Sequence, residues 1–308
     1  MLYQRIYSAA VAALLLAACS QPVTQAPPAS NLTPVFAVSE LLVGPNRMAL
    51  GLLQDGSPVN DPGAQITLKF YDRADTSATI KNQTSATYYG QGLPAALYVA
   101  YPTFDRAGEW DVVVETQLSG ATQPSSTRLR FQVQEASNAP NVGQRAPAVT
   151  TPTALTTPLE QLSSGSDPDP ALYQLSLDQA LNSGKPTAVL FATPGYCRTA
   201  MCGPNIKVLS ELQQAFGERV NFVHVEVYRY PFEAALAEQA AAFSAASKNN
   251  RPMTDAEKVA GFSDGMATWR LSTEPWLFLI DQGGVIEQRY EGGITREELT
   301  PALEQLAS

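Results

Sequence analysis

The chain has 308 residues, with 20 Lys and Arg against 29 Asp and Glu, a formal charge of −9, one His and three Cys. An acidic balance of this kind lacks the basic footprint of a nucleic-acid binder, so a nucleic-acid partner is not expected. The length suits two ordinary domains.

Residues 1–18 read as a targeting leader rather than as part of the fold. Arg5 supplies a positive start, and Ile6 to Leu16 form an apolar stretch too short to span a bilayer as a lone helix. Leu16-Ala17-Ala18-Cys19 resembles a bacterial lipobox. That resemblance implies cleavage before Cys19 and a diacylglycerol on its thiol, with palmitate an expected acyl chain. The mature protein would then be lipid-anchored in the cell envelope, facing the periplasm or the exterior. Ser20 fits sorting to an outer membrane. The alternative is a plain secretory signal that leaves Cys19 as a spare thiol. Residues 19–34, rich in Pro, Gln and Ser, read as a flexible tether.

Residues 35–135 read as an all-β domain. Strand candidates are Val35–Leu42, Met48–Leu53, Ala64–Phe70, Ala96–Tyr101, Trp110–Glu115 and Thr127–Gln134. Apolar and polar residues alternate over Gln65–Phe70 and Arg128–Val133. Turn residues at Gly44-Pro45-Asn46, Asp55-Gly56, Asp61-Pro62-Gly63, Gly90-Gln91-Gly92 and Ala107-Gly108 separate the strands. Short strands so spaced suggest a sandwich. The run from Phe104 to Val114 resembles small immunoglobulin-like modules of bacterial exported proteins, with Trp110 in the core. This region has no Cys, no His and a single Met, Met48, which is too few soft ligands for a metal. It reads as a spacer or partner-binding module.

Residues 136–171 are rich in Pro, Ser, Thr, Asn and Asp and mark a boundary. Ser176, with Gln179 three residues on, predicts a helix start, and Gly184 a stop. Ala188–Thr193 is a short apolar run between Lys185-Pro186 and Pro194-Gly195, the pattern of a buried strand. Apolar residues at Ile206, Leu209, Leu212 and Phe216 then mark a helix. Cys197 and Cys202 fall where the strand hands over to that helix. There the unpaired N–H groups and the helix dipole favour a thiolate. Arg219–Tyr228 predicts a central strand, and residues 232–247 a helix. Thr254-Asp255-Ala256-Glu257 opens a shorter helix. Trp276–Asp281 and Val285–Tyr290 form a hairpin across Asp281-Gln282-Gly283-Gly284. Thr295 caps a terminal helix through Leu303 and Leu306, which Pro301 is expected to bend or shorten.

The stretch Lys185 to Ile206, with Cys202-Gly203-Pro204 and the later Glu274-Pro275 before a strand, resembles the thioredoxin-like superfamily. Val142-Gly143-Gln144-Arg145-Ala146-Pro147 resembles the opening of its redoxin-type members, so the second domain is placed at 140–308, with a helical insertion at about 229–273. The expected fold is therefore two-domain: an immunoglobulin-like β-sandwich followed by an α/β thioredoxin-like domain with a mixed sheet.

The resemblance implies thiol–disulfide exchange on exported proteins by Cys197 and Cys202, with no cofactor. It also implies a cis Pro275 facing the cysteines, with Glu274, Pro275 and Tyr196 lining the substrate site. Two departures stand out. Four residues separate the cysteines, so Cys197 aligns by distance from the strand whereas Cys202 aligns by its Gly-Pro. The first strand, Val189-Leu190-Phe191-Ala192, carries no buried acid to assist proton transfer. Cys197 is expected in the turn as the attacking thiol, helped by Arg198, and Cys202 in the first helical turn. With Cys19 lipidated, two Cys and one His cannot build a zinc site.

Other readings of the same residues stay open. A structural disulfide in a scaffold lipoprotein would explain the long spacing. Pro194, Thr199 and Cys202 imitate a peroxidase, with one residue too many after the proline. Two thiolates beside Met201 suit Cu(I), although no later His completes a copper-carrier site. His224, the sole histidine, reads as a packed strand residue.

Overall fold

The computed structural model describes residues 31–308; Cys19 and its lipobox lie outside the described residues. The N-terminal domain comprises β1 (Leu32–Phe36), β2 (Leu41–Leu42), β3 (Gly44–Pro45), β4 (Met48–Gln54), β5 (Ser57–Pro58) and β6 (Gln65–Asp72). It continues through β7 (Asn82–Tyr89), β8 (Leu97–Ala100), β9 (Thr103–Phe104), β10 (Gly108–Gln117) and β11 (Ser125–Gln134). One nine-stranded sheet runs β1-β4-β8-β7-β6-β10-β11-β2, with β5 on β4. β7 is the fold line: Asn82–Ala86 pair with β6 and Thr87–Tyr89 with β8. The sheet thus closes over itself. Met48, Leu50, Leu52 and Tyr98 on one half meet Ile66, Leu68, Phe70, Val112 and Val114 on the other. Trp110 lies in this core, 5.1 Å from the Phe104 ring, as the resemblance of Phe104–Val114 to immunoglobulin-like modules implied.

Two expectations are revised here. The single strand Val35–Leu42 is replaced by β1 and the two-residue β2, because the chain leaves β1 at Ala37 to reach the second domain. β7 had no counterpart among the candidates. Its half-covered positions are Asn82, Thr84, Ala86, Tyr88 and Tyr89, and the first three are polar or small, so no hydrophobic alternation announces it.

The C-terminal domain comprises α1 (Leu159–Leu162), a 3₁₀ turn (Pro170–Tyr173), α2 (Leu177–Leu181), β12 (Thr187–Ala192), α3 (Cys202–Phe216) and β13 (Asn221–Glu226). α4 (Phe232–Lys248), α5 (Asp255–Lys258), α6 (Asp264–Thr268), β14 (Trp276–Ile280), β15 (Ile286–Glu291) and α7 (Arg296–Leu306) follow. Its sheet has the order β13-β12-β14-β15. β12 and β13 are parallel, and the other pairs antiparallel. β12 and β14 are buried along their whole length, which is why both read as continuous apolar runs. One face packs against α3 and α7 through Leu209, Leu212, Leu299 and Leu303. The other packs against Phe232, Met266 and Trp269 of the α4–α6 insertion. Residues 143–146 bond to Gly284 and Ile286, so the redoxin-like opening lies along the β15 edge.

β13 is shorter than the predicted 219–228 strand, because Arg219 and Val220 still bond back to Phe216 at the end of α3. α7 runs unbroken through Pro301 instead of being cut short. Thr295 accepts the Glu298 N–H, and Leu299 and Leu303 are fully buried, so capping and packing outweigh one missing backbone bond.

The two domains pack through buried charges. Arg47 Nε and one terminal nitrogen grip the Glu298 carboxylate at 2.6 and 2.8 Å. Arg47 also donates to the Glu291 and Gly293 carbonyls, at 2.8 Å each. Both side chains of the pair are almost wholly buried, and Tyr101 adds a 2.8 Å bond to Glu298.

Candidate active site

β12 ends at Ala192, and Thr193 to Met201 form an irregular turn before α3 begins at Cys202. Ala200 takes a left-handed φ of 59° within that turn. A regular helix would turn positions five apart to different faces. The irregular turn instead folds Cys197 back over the helix start, so that its sulfur accepts the Cys202 N–H at 3.2 Å. The Thr199 hydroxyl lies 3.4 Å from the same sulfur. Both thiols are free; Cys197 is half-buried and Cys202 fully buried.

The electrostatics separate the pair. The Cys202 thiol, the Thr199 hydroxyl and the Cys202 N–H hold Cys197 down, from an ordinary 9.0 to about 5, against the opposing effect of burial. Cys202 moves far up, because its thiol proton is donated to Cys197 and because it is buried, although the Thr193 N–H points at it. One sulfur is therefore poised as thiolate and the other keeps its proton. Thr199, whose spacing from Cys202 imitates a peroxidase, lies against Cys197 instead.

Glu274 and Pro275 are joined by a cis peptide bond at the start of β14. Burial first, and then the negative charge on Cys197, raise the Glu274 carboxyl to about 7. Tyr196 is held beside the cysteine by a 2.8 Å bond to Glu233 and by the rings of Tyr228 and Phe232, both 6.4 Å away. The structure therefore gathers Cys197, Cys202, Tyr196, Glu274 and Pro275 at one end of the sheet. Arg198 is exposed at the same rim.

β12 carries no buried acid, but the neighbouring strand does. Glu226 ends β13, almost wholly buried, and accepts from the Ser164 N–H and hydroxyl at 2.8 Å each. Burial raises its pKa. Ser164 in turn lies 3.2 Å from the Thr193 hydroxyl and bonds Gly195 N–H, linking this carboxyl to the cysteine turn. The signal in sequence was a charged residue closing the apolar run Phe222–Val225. His224 is packed: its ring nitrogens lie 2.6 Å from the Tyr173 hydroxyl and 3.0 Å from the Ala192 carbonyl, and burial lowers its pKa to about 4. Asn205, where Cys202-Gly203-Pro204 would place a second cysteine, instead bonds the Gly292 carbonyl and the Ile294 N–H. Among the described residues no group of three or more His, Cys, Asp or Glu could hold a metal ion.

A mixed four-stranded sheet, a thiol pair at a helix start and a cis proline opposite them define a thioredoxin-like domain. Residues 173–307 match the family model of the thioredoxin-like domain. No curated protein matches the chain. Among solved structures, a thiol:disulfide interchange protein of the thioredoxin family from Chlorobium tepidum is similar, at 15% identity over 55% of this chain and 100% of that one, with a TM-score of 0.31. A DUF4426 family protein from Pseudomonas aeruginosa is similar at 10% identity over 35% of this chain and 94% of that one, with a TM-score of 0.26. Neither likeness bears on activity.

Proposed function

We propose that this chain is a lipid-anchored extracytoplasmic thiol–disulfide oxidoreductase that cycles Cys197 and Cys202. The observation that carries the reading is the division of labour between the sulfurs: a half-buried Cys197 held as thiolate, and a buried, protonated Cys202 whose N–H it accepts at 3.2 Å. In the reduced form the Cys197 thiolate attacks a substrate disulfide. A Cys197–substrate bond forms, the substrate S–S bond breaks, and the leaving sulfur takes a proton. Cys202 then loses its proton and attacks the Cys197 sulfur. The Cys197–Cys202 disulfide forms and the second substrate thiol leaves. Two electrons have passed to the substrate, and the reverse sequence oxidises a dithiol. Glu274, with a pKa of about 7, is the carboxyl suited to exchange protons there. Tyr196, Glu274 and Pro275 border the substrate.

Anchoring rests on Leu16-Ala17-Ala18-Cys19. Lipid on Cys19 holds the chain to a membrane, and Ser20 directs it outward. Metabolic labelling with palmitate should mark the wild type and spare Cys19→Ser.

The test of the redox reading is a glutathione titration of the full chain in detergent, with mass-spectrometric thiol trapping. A reversible couple between roughly −120 and −270 mV is expected. A disulfide that survives below roughly −300 mV would make the bond structural and remove the oxidoreductase reading.

A further inference from the structure

A cleft of about 480 Å³ opens beside the cysteine turn, between the two domains. Arg198, Thr199 and Met201 line it from the turn, and Thr273 and Glu274 from the loop before β14. Its opposite wall belongs to the N-terminal domain: Phe36, which ends β1, Ala37 and Val38, which follow it, and Leu97 of β8. This wall is apolar, and Met201 continues the apolar surface onto the cysteine turn.

The wall is fixed against the site. Glu291, buried at the end of β15, accepts from the Ser39 N–H at 2.7 Å and the Ser39 hydroxyl at 2.5 Å. The same carboxylate accepts from the Thr273 hydroxyl at 2.8 Å, so one side chain ties the wall to the loop that carries Glu274. Gly292 admits the close approach. It has a φ of +82°, and a Cβ there would lie 2.7 Å from the Ala37 carbonyl. Along the loop side, neither the Glu274 N–H nor the Thr273 carbonyl has a hydrogen-bond partner among the described residues.

We infer that the N-terminal domain forms the specificity wall of the active site, and that the cleft takes an extended polypeptide segment with an apolar side chain next to its cysteine. An extended segment lying along the loop satisfies the unpartnered Glu274 N–H, as strand addition does, whereas the Thr273 carbonyl across the same trans peptide unit points the other way. Its neighbouring side chain then lies against Phe36, Val38 and Leu97, and burying one Leu-sized group there is worth about tenfold or more in rate. Glutathione disulfide, which has no such side chain, gains nothing from the wall. The occupant is thus a disulfide-bearing protein segment with aliphatic or aromatic flanks. Val38 and Ala37 act on specificity, and Glu291 is a positioning residue.

The inference rests on the oxidoreductase reading, and the experiment separates the two. The reduced full chain is reacted with three probes: glutathione disulfide, and the symmetric disulfides of two peptides in which Leu or Asn flanks the cysteine on both sides. The wild type should react with all three, the Leu-flanked probe about tenfold faster than the Asn-flanked one. Ala37→Arg, which fills the cleft, should abolish that preference, and the glutathione rate reports separately whether the cysteines still react. Equal wild-type rates for the two peptides would overturn the wall while leaving the oxidoreductase intact, and this comparison needs no variant. A preference that survives Ala37→Arg, or an equal loss of all three rates, would also overturn it. No reaction with any of the three probes would overturn both readings.

Discussion

At the scale of single residues the site is a problem in sharing protons among three groups. Cys197 is lowered to about 5 chiefly by the Cys202 thiol, so the rate of its alkylation by iodoacetamide should be half-maximal near pH 5. Cys202→Ala removes that donor, and the midpoint should climb towards 9.0; an unmoved midpoint would refute the assignment of cause. Stability follows with opposite signs at two groups. The Cys197 contribution is fully present above its ordinary 9.0 and is lost as pH falls through about 5. The Glu274 contribution is fully present below its ordinary 4.5 and is lost as pH rises through about 7. Between about pH 5 and 7 the two oppose each other. In Glu274→Gln the urea midpoint of the reduced protein should therefore rise across that window more steeply than in the wild type. Equal slopes would mean that Glu274 does not titrate there.

Among the elements, α3 decides where the cysteines lie, and Asn205 decides where α3 lies. This fully buried amide spans from the second turn of the helix to the loop between β15 and α7. Asn205→Ala leaves the Gly292 carbonyl and the Ile294 N–H without partners, each costing about 1–3 kcal/mol. Urea unfolding should show at least that loss, and Asn205→Asp should recover part of it only by keeping the Ile294 bond. α3, β12, β14 and the hairpin were legible in the sequence because apolar periodicity and turn residues are local. β7 was not, since Asn82, Thr84 and Ala86 are half-covered by strands distant in the chain. Pro301 does not shorten α7 for a related reason: its local cost is offset by the burial of Leu299 and Leu303.

For the whole molecule, the Arg47–Glu298 pair is the test of domain packing. Removing one partner of a buried pair strands a charge, so Arg47→Met should cost about 3–5 kcal/mol in urea unfolding. Arg47→Met with Glu298→Leu should cost less than Arg47→Met alone, because no charge is then left buried without its partner. A loss below 1 kcal/mol for Arg47→Met would show that the pair is dispensable. The sequence by itself determined the two-domain order, the mixed sheet, and the position of Cys197 and Cys202 between a strand and a helix start. Each of these follows from patterns within one element or one turn. Only the tertiary structure decided that Thr199 serves Cys197, that a buried acid stands on β13 rather than β12, and that Phe36 to Ser39 border the cysteine site. The first is set by the irregular path of the turn from Thr193 to Met201, and the other two are contacts between residues far apart in the chain, made through burial and hydrogen-bond geometry that no local pattern encodes.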